Sequence, residues 1–302
     1  MLAESAIKKY PALKKSLQTG ILFYKNPQIK NIPDKDAILV LSFGTTNKQA
    51  RQNDIENIVY KIRQAYPHTK VVLAFTSHII IKRIKKTEEL CYDTPEKALT
   101  KLHQDGYTRV VIITLDIIPG IEYNYKQELF FLHKNNFKSL VLSTPLLYWM
   151  GQKGHPDEIK DVLRAFLEEF SLPMKNSDAV LIFTHGTPHP ANAYYTVMQD
   201  RLNKLGKDNV FIYTAEGYPE LSDVIPILKK NNYKKILLLP FLIVSGVHVN
   251  EDMAGKNNSH KTILEQAGFE VSTYLHGLGE SNTACKFFLD HTKKACELLT
   301  NK

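Results

Sequence analysis

The chain contains an internal repeat, in which the same apolar runs and turns occur twice in the same order. Three pairs of segments match: 38–46 with 180–188, 72–77 with 210–215, and 102–120 with 228–246. A short apolar run that ends at Gly or Pro predicts a strand buried on both faces, as in a parallel sheet. The repeat therefore predicts two similar α/β halves whose strand-end loops face one cleft.

Helical segments separate the predicted strands in both halves, which is typical of parallel sheets with helices on both faces. We expect three parts: an N-terminal extension over residues 1–35, a first α/β domain over 36–148, and a second α/β domain over 149–302 that ends in a C-terminal helix. The first domain is expected to form one wall of the cleft.

Three strand ends in the second half carry side chains that can bind a metal ion: His185, Glu216 and His248. In open α/β sheets, ligands bind beyond the carboxyl ends of the strands, so these side chains are expected to converge on one crevice. Two imidazoles and one carboxylate suit a first-row divalent metal such as iron, cobalt, nickel or zinc. Three protein ligands leave coordination positions open, and imidazole also accepts protons near neutral pH.

The matching positions of the first half carry Phe43, His78 and Glu122. Only the second half combines two histidines with a glutamate, so we expect that half to carry the reactive groups. His189 lies close to His185 in the sequence, but a His-Pro pair at a helix start is typical of a structural role.

Composition and charge restrict the partners. The formal net charge is +8, yet no run interleaves basic and aromatic residues, so we expect no nucleic-acid partner. A basic cleft suits a polyanionic small molecule. No stretch approaches the length of a membrane span, residues 1–20 lack a signal-peptide core, and the three cysteines form no CxxC motif. We therefore expect a cytoplasmic protein with no membrane partner.

Other catalytic templates are missing from the sequence. It contains no GxSxG, no GxxxxGK[ST] and no GxGxxG motif. We expect no organic cofactor.

Six motifs resemble those of the sirohydrochlorin cobaltochelatases of the CbiK type. They are SFGT at 42–45, AFTS at 74–77, HGTPHPANAY at 185–194, EGYP at 216–219, VSGVHVNEDM at 244–253 and GLGE at 277–280. The resemblance extends from about residue 37 to the final helix. It implies a class II chelatase with the ferrochelatase-like fold, in which two flavodoxin-like halves work without a second kind of subunit.

The resemblance also implies a reaction. His185, Glu216 and His248 would hold Co²⁺, which is a substrate, and His185 would accept a proton from the tetrapyrrole with help from Glu216. Sirohydrochlorin carries many carboxylates, which fits a basic cleft. His78 stands at a position where the family is expected to have a small residue.

Several alternatives stay open at this point. The same ligands suit insertion of Fe²⁺ or Ni²⁺ into sirohydrochlorin or a porphyrin. A non-catalytic carrier of a tetrapyrrole or a metal could use the same scaffold. The sequence also leaves open whether the chain forms a homo-oligomer.

Overall fold

The computed structural model describes residues 10–29 and 31–300. Three parts of the chain lie outside these ranges: residues 1–9 and 30 of the expected extension and residues 301–302 of the expected second domain. The 1–20 segment, which lacks a signal-peptide core, therefore lies partly outside them. The described strands are β1 Leu22–Lys25, β2 Asp36–Ser42, β3 Lys70–Phe75, β4 Arg109–Thr114, β5 Ser139–Leu142, β6 Ala179–Thr184, β7 Val210–Thr214, β8 Lys235–Pro240 and β9 Glu270–Thr273.

The helices lie between the strands. They are α1 Pro11–Ser16, α2 (Lys48–Ala50, a π-helical turn Arg51–Glu56, and Asn57–Ala65), α3 His78–Glu88, α4 Pro95–Gln104, α5 Ile121–His133, α6 Glu158–Glu169, α7 Ser171–Met174, α8 Ala193–Lys204, α9 Leu221–Lys230, α10 His260–Gln266 and α11 Asn282–Thr300. Two 3₁₀ turns, Lys134–Asn136 and Pro190–Asn192, and a second π-helical turn, His248–Met253, complete the set. Within the described ranges, no helix is long and apolar enough to span a bilayer.

The two sheets repeat one topology. Their strand orders are β1-β5-β4-β2-β3 and β7-β6-β8-β9. When β2 is matched with β6, the order β5-β4-β2-β3 becomes β9-β8-β6-β7. Every neighbouring pair is parallel except β1 with β5. The predicted fold class, two similar α/β halves with parallel sheets and flanking helices, is confirmed.

Both faces of the central strands are buried, which explains their continuous apolar runs. Along β2, Ile38 and Val40 join one cluster of buried side chains, whereas Leu39 and Leu41 join another. This separation follows from the two-residue period of a strand.

One buried cluster belongs to both halves. It combines side chains of both sheets with those of α2, α6, α8 and α11. Helix α11 lies in the second half of the sequence but packs against α2, β4 and β5 of the first. The Arg109 guanidinium donates a 3.1 Å hydrogen bond to the Leu299 carbonyl near the end of this helix. The shared core fixes the two sheets relative to each other because close-packed interiors resist sliding.

Part of the expected N-terminal extension joins the first sheet. Strand β1 pairs antiparallel with β5, with Leu22 opposite Leu142. This edge strand was not predicted from the sequence. The domain boundaries at residues 35/36 and 148/149 stay a prediction.

Candidate metal centre

Three potential metal ligands meet at the carboxyl end of the second sheet. Strand β6 lies between β7 and β8, so the loops after these strands are neighbours. One ligand atom from each of His185, Glu216 and His248 lies within 4.8 Å of the other two. The two imidazole rings have centroids 4.8 Å apart and planes at 81°. Tetrahedral ligands with bonds of about 2.1 Å are about 3.4 Å apart, so a small inward movement would let all three bind one ion.

Hydrogen bonds assign the tautomers of both histidines. His185 Nδ1 lies 3.1 Å from the Gly186 carbonyl oxygen. A carbonyl can only accept, so Nδ1 carries the proton and Nε2 presents a lone pair. His248 Nδ1 lies 2.6 Å from Asp252 Oδ2, and the same reasoning places a proton on Nδ1, so that the neutral form of the ring presents Nε2 as its lone pair. A carboxylate on the far nitrogen of a ligating histidine orients the ring and raises its basicity.

Two glycines bring the loops of His185 and Glu216 together. Gly186 has φ +81°, and a Cβ there would lie 2.6 Å from the backbone carbon of Glu216. A Cβ on Gly217 would lie 2.2 Å from Asn192 Oδ1 and 3.0 Å from the Gly186 Cα. The Glu216 N–H donates a 2.8 Å bond to the His185 carbonyl. Only glycine permits this approach of two backbones.

Asn192 links the same two loops through its side chain. Its Oδ1 accepts a 3.3 Å hydrogen bond from the Thr187 N–H, and its Nδ2 donates a 2.8 Å bond to the Tyr218 carbonyl. These bonds hold the loops of His185 and Glu216 relative to each other within the second half.

His248 begins the π-helical turn His248–Met253. Such turns occur frequently at functional sites. Val249 and Met253 are fully buried and anchor the turn, whereas His248 is partly exposed. Asn250 Nδ2 donates 2.8 and 2.9 Å bonds to the carbonyls of Ser245 and Gly246, which ties the turn to the residues before it.

Comparison with known proteins identifies the family. The sequence profile of the cobalt chelatase (CbiK) family matches residues 36–297. The chain belongs to this family. It is 30% identical over 287 residues to sirohydrochlorin cobaltochelatase CbiKC of Nitratidesulfovibrio vulgaris (strain Hildenborough), which covers 93% of this chain and 97% of that protein.

Two further comparisons agree with this membership. The chain is 29% identical over 265 residues to sirohydrochlorin cobaltochelatase of Salmonella typhimurium (strain LT2), covering 87% of this chain and 97% of that protein. The solved structure of SirB from Bacillus subtilis with Fe³⁺ aligns with a TM-score of 0.59 and 14% identity over 88% of this chain and 98% of that one. This second likeness concerns the fold alone. The predicted family is confirmed.

The first-half counterparts of the three ligand-type residues have other surroundings. Phe43 is 52% exposed after β2, and His78 is exposed at the first position of α3. Glu122 lies in the first turn of α5, not in the loop after β4, and accepts a 2.7 Å bond from Thr76 Oγ1. Among the described residues, only His185, Glu216 and His248 form a group that could hold a metal.

His189 lies beside the metal centre and joins the two halves. Its Nδ1 accepts a 3.1 Å bond from the Ala191 N–H and so caps the 3₁₀ turn. Its Nε2 lies 3.1 Å from the side-chain amide of Asn124 on α5 of the first half. These contacts agree with a structural role for His189, which stays a prediction.

Several residues around the site were not predicted from the sequence. Asp252 could have been found, because it stands four positions after His248, which is one helical turn. Asn192 and Asp54 make contacts that only the tertiary structure brings about. His260 was also missed; its Nδ1 lies 3.2 Å from the Tyr213 hydroxyl, and burial lowers the pKa of the imidazole.

Proposed function

We propose that this protein is a metal chelatase that inserts Co²⁺ into sirohydrochlorin in anaerobic cobalamin biosynthesis. The observation that carries the proposal is the convergence of His185, Glu216 and His248 at one strand-end crevice in a chain of the cobalt chelatase family. The sirohydrochlorin cobaltochelatases to which it is similar support this choice of substrates.

The proposed reaction needs a weakly held metal beside a base. Co²⁺ enters the macrocycle as two inner N–H groups lose their protons, so one metal ion is exchanged for two protons and no electrons move. Three protein ligands leave coordination positions for water and for the pyrrole nitrogens. The one lone pair on His185 Nε2 first holds the metal and, once the metal passes to the macrocycle, is free to accept a proton, and we assign the Glu216 carboxylate to assist it with the second proton.

Exposed apolar side chains around the crevice support a flat macrocyclic substrate. They follow five different strand ends, and the set is Phe43, Ile79, Ile121, Tyr218 and Val247. Large apolar side chains grouped in an exposed region mark binding surfaces. A tetrapyrrole offers two apolar faces to such residues and leaves its peripheral carboxylates in water or beside basic groups.

The family favours cobalt over iron and nickel, although the ligand types alone suit all three metals. We propose a cytoplasmic location because Cys91, Cys285 and Cys296 are all free thiols, which suits a reducing compartment. The reaction requires no organic cofactor, nucleic acid or membrane.

The test is an anaerobic insertion assay with Co²⁺, Fe²⁺ and Ni²⁺, each against sirohydrochlorin and protoporphyrin. We expect multiple turnovers with Co²⁺ and sirohydrochlorin, and loss of turnover in His185→Ala. A preference for iron or nickel, or for the porphyrin, would replace the proposed substrates. Stoichiometric uptake without turnover would mean a carrier.

A further inference from the structure

A carboxylate of the first half is buried beneath the loop that carries His248. Asp54 lies in the π-helical turn Arg51–Glu56 of α2 and is 0% exposed. Its Oδ2 accepts 2.9 and 3.1 Å hydrogen bonds from the backbone N–H and the hydroxyl of Ser245. Among the described residues, its Oδ1 has no hydrogen-bond partner. A buried carboxylate that is only half satisfied is costly, so its presence needs a reason.

The second half is shaped to receive this side chain. A Cβ on Gly277 would lie 2.5 Å from Asp54 Oδ1, and a Cβ on Gly279 would lie 2.3 Å from the Asp54 Cα. The Gly279 N–H donates a 3.0 Å bond to the carbonyl of Ile243, two residues before Ser245. The 277–280 loop therefore closes over Asp54 and pairs with the chain that leads to Ser245.

Hydrogen bonds connect Ser245 to the π-helical turn that begins at His248. Asn250 holds the carbonyls of Ser245 and Gly246 through its Nδ2. A Cβ on Gly246 would lie 3.4 Å from Thr45 Oγ1, so the loop also passes close to the first half at a second point.

We infer that Asp54 is a positioning residue, which acts through Ser245 to set the place of His248 relative to His185 and Glu216. The inference rests on the proposed metal-binding role of these three residues. His185 and Glu216 are held to each other by contacts inside the second half, whereas the chain that leads to His248 is also held by Asp54 of the first half. The first half thereby contributes to the geometry of a site to which it gives no ligand.

Asp54→Ala, Asp54→Asn and Ser245→Ala test the inference, with Asn57→Ala as the matched control. Asn57 lies on the same helix and donates a 2.8 Å bond to the Gly279 carbonyl, but within the described part of the chain it does not bond to Ser245. The measurements are anaerobic Co²⁺ affinity, the KM values for Co²⁺ and for sirohydrochlorin, and hydrogen exchange of residues 245–253.

In Asp54→Ala we expect Co²⁺ affinity to fall by about 10-fold or more, as for other supports of a metal ligand. The KM for Co²⁺ should rise, whereas the KM for sirohydrochlorin should stay at its wild-type value. Hydrogen exchange of residues 245–253 should become faster. The Co²⁺ affinity of Asp54→Asn should stay within about threefold of the wild-type value, because an amide oxygen accepts the same two bonds. The affinity of Ser245→Ala should lie between those of Asp54→Asn and Asp54→Ala. Asn57→Ala should bind Co²⁺ like the wild type.

Wild-type affinity in a folded Asp54→Ala protein, or an equal loss in Asn57→Ala or Asp54→Asn, would overturn the inference. If Asp54→Ala does not fold, Ser245→Ala and Asp54→Asn decide in its place. A wild type that binds Co²⁺ without inserting it would refute the proposed function. The positioning role of Asp54 would then be decided by Co²⁺ affinity and hydrogen exchange alone. A wild type that binds no Co²⁺ would refute both.

Discussion

The two halves of the molecule have the same strand order but differ at their strand ends. In the second half, the loops after β6, β7 and β8 bring His185, Glu216 and His248 together. In the first half, the equivalent region includes an exposed Phe43 and a Glu122 bonded to Thr76. The topology is therefore duplicated, and a few side chains decide which half carries the proposed metal ligands. The half without these ligands still contacts the loop before His248 through Asp54.

The halves also differ in how their matching glycines are packed. Gly44 and Gly186 both have positive φ values, +93° and +81°. A Cβ on Gly44 would meet the Phe75 ring at 2.8 Å, whereas a Cβ on Gly186 would meet backbone atoms of Glu216 and Gly217 at 2.6 Å. The Phe75 ring is buried and can shift only by disturbing the packing of the first half, whereas a loop backbone can yield only by moving the residues it carries.

The largest expected effect comes from removing ligands of the second half. Alanine at His185 should lower the insertion rate by roughly 10²- to 10⁴-fold, because the metal and the base are lost together. Alanine at Glu216 or His248 should abolish tight Co²⁺ binding. His78→Ala is the matched change in the first half. Its anaerobic rate of Co²⁺ insertion should stay within about threefold of the wild-type rate. Equal losses in both halves would break the comparison.

Alanine at the two matching glycines should give the next largest difference. Gly44→Ala should cost about 1–3 kcal/mol of unfolding free energy, the usual price of a strained φ. Gly186→Ala should cost about 3–5 kcal/mol and also separate Glu216 from His185. Urea unfolding and Co²⁺ titration measure the two effects. A Gly186→Ala protein with full Co²⁺ affinity would contradict the role given to the Gly186–Gly217 contact.

Removing the carboxylate behind His248 should have a moderate effect. Asp252→Ala should weaken Co²⁺ binding by about 10- to 100-fold, because the imidazole loses the partner that orients it. Glu251→Gln is the control, since Glu251 is an exposed neighbour in the same turn. Calorimetric Co²⁺ titration measures both variants, and similar affinities for the two would show that the 2.6 Å contact of His248 with Asp252 does not matter.

The smallest expected effect is a pH dependence of stability. Burial raises the pKa of Asp54 to about 6, against the opposing effect of its bonds from Ser245. A raised acid pKa means that the folded state holds the proton more tightly, so stability is lost as pH rises through 6. From pH 5 to pH 8 the wild type should lose about 1.4 kcal/mol relative to Asp54→Asn. Parallel stability curves for the two proteins would contradict this assignment.

The sequence was sufficient to predict the parallel strands, the duplication and the three ligand-type residues at strand ends. Buried parallel strands leave long apolar runs, and glycine or proline marks their ends, so His185 and Glu216 could be placed at strand ends. Strand β1 could not be predicted, because its four residues gain a partner only in β5, more than a hundred residues later. Asp54 resembles any polar residue of a helix until the second half covers it.

A cobalt-edge diffraction experiment tests the central claim most directly. Crystals grown without metal would be soaked anaerobically in Co²⁺ and measured on both sides of the absorption edge. We predict an anomalous peak for Co²⁺ that lies about 2.0–2.2 Å from each of three atoms: Nε2 of His185, Nε2 of His248 and one carboxylate oxygen of Glu216. Absence of a peak there, or a peak held by His78 and Glu122 of the first half, would contradict the account.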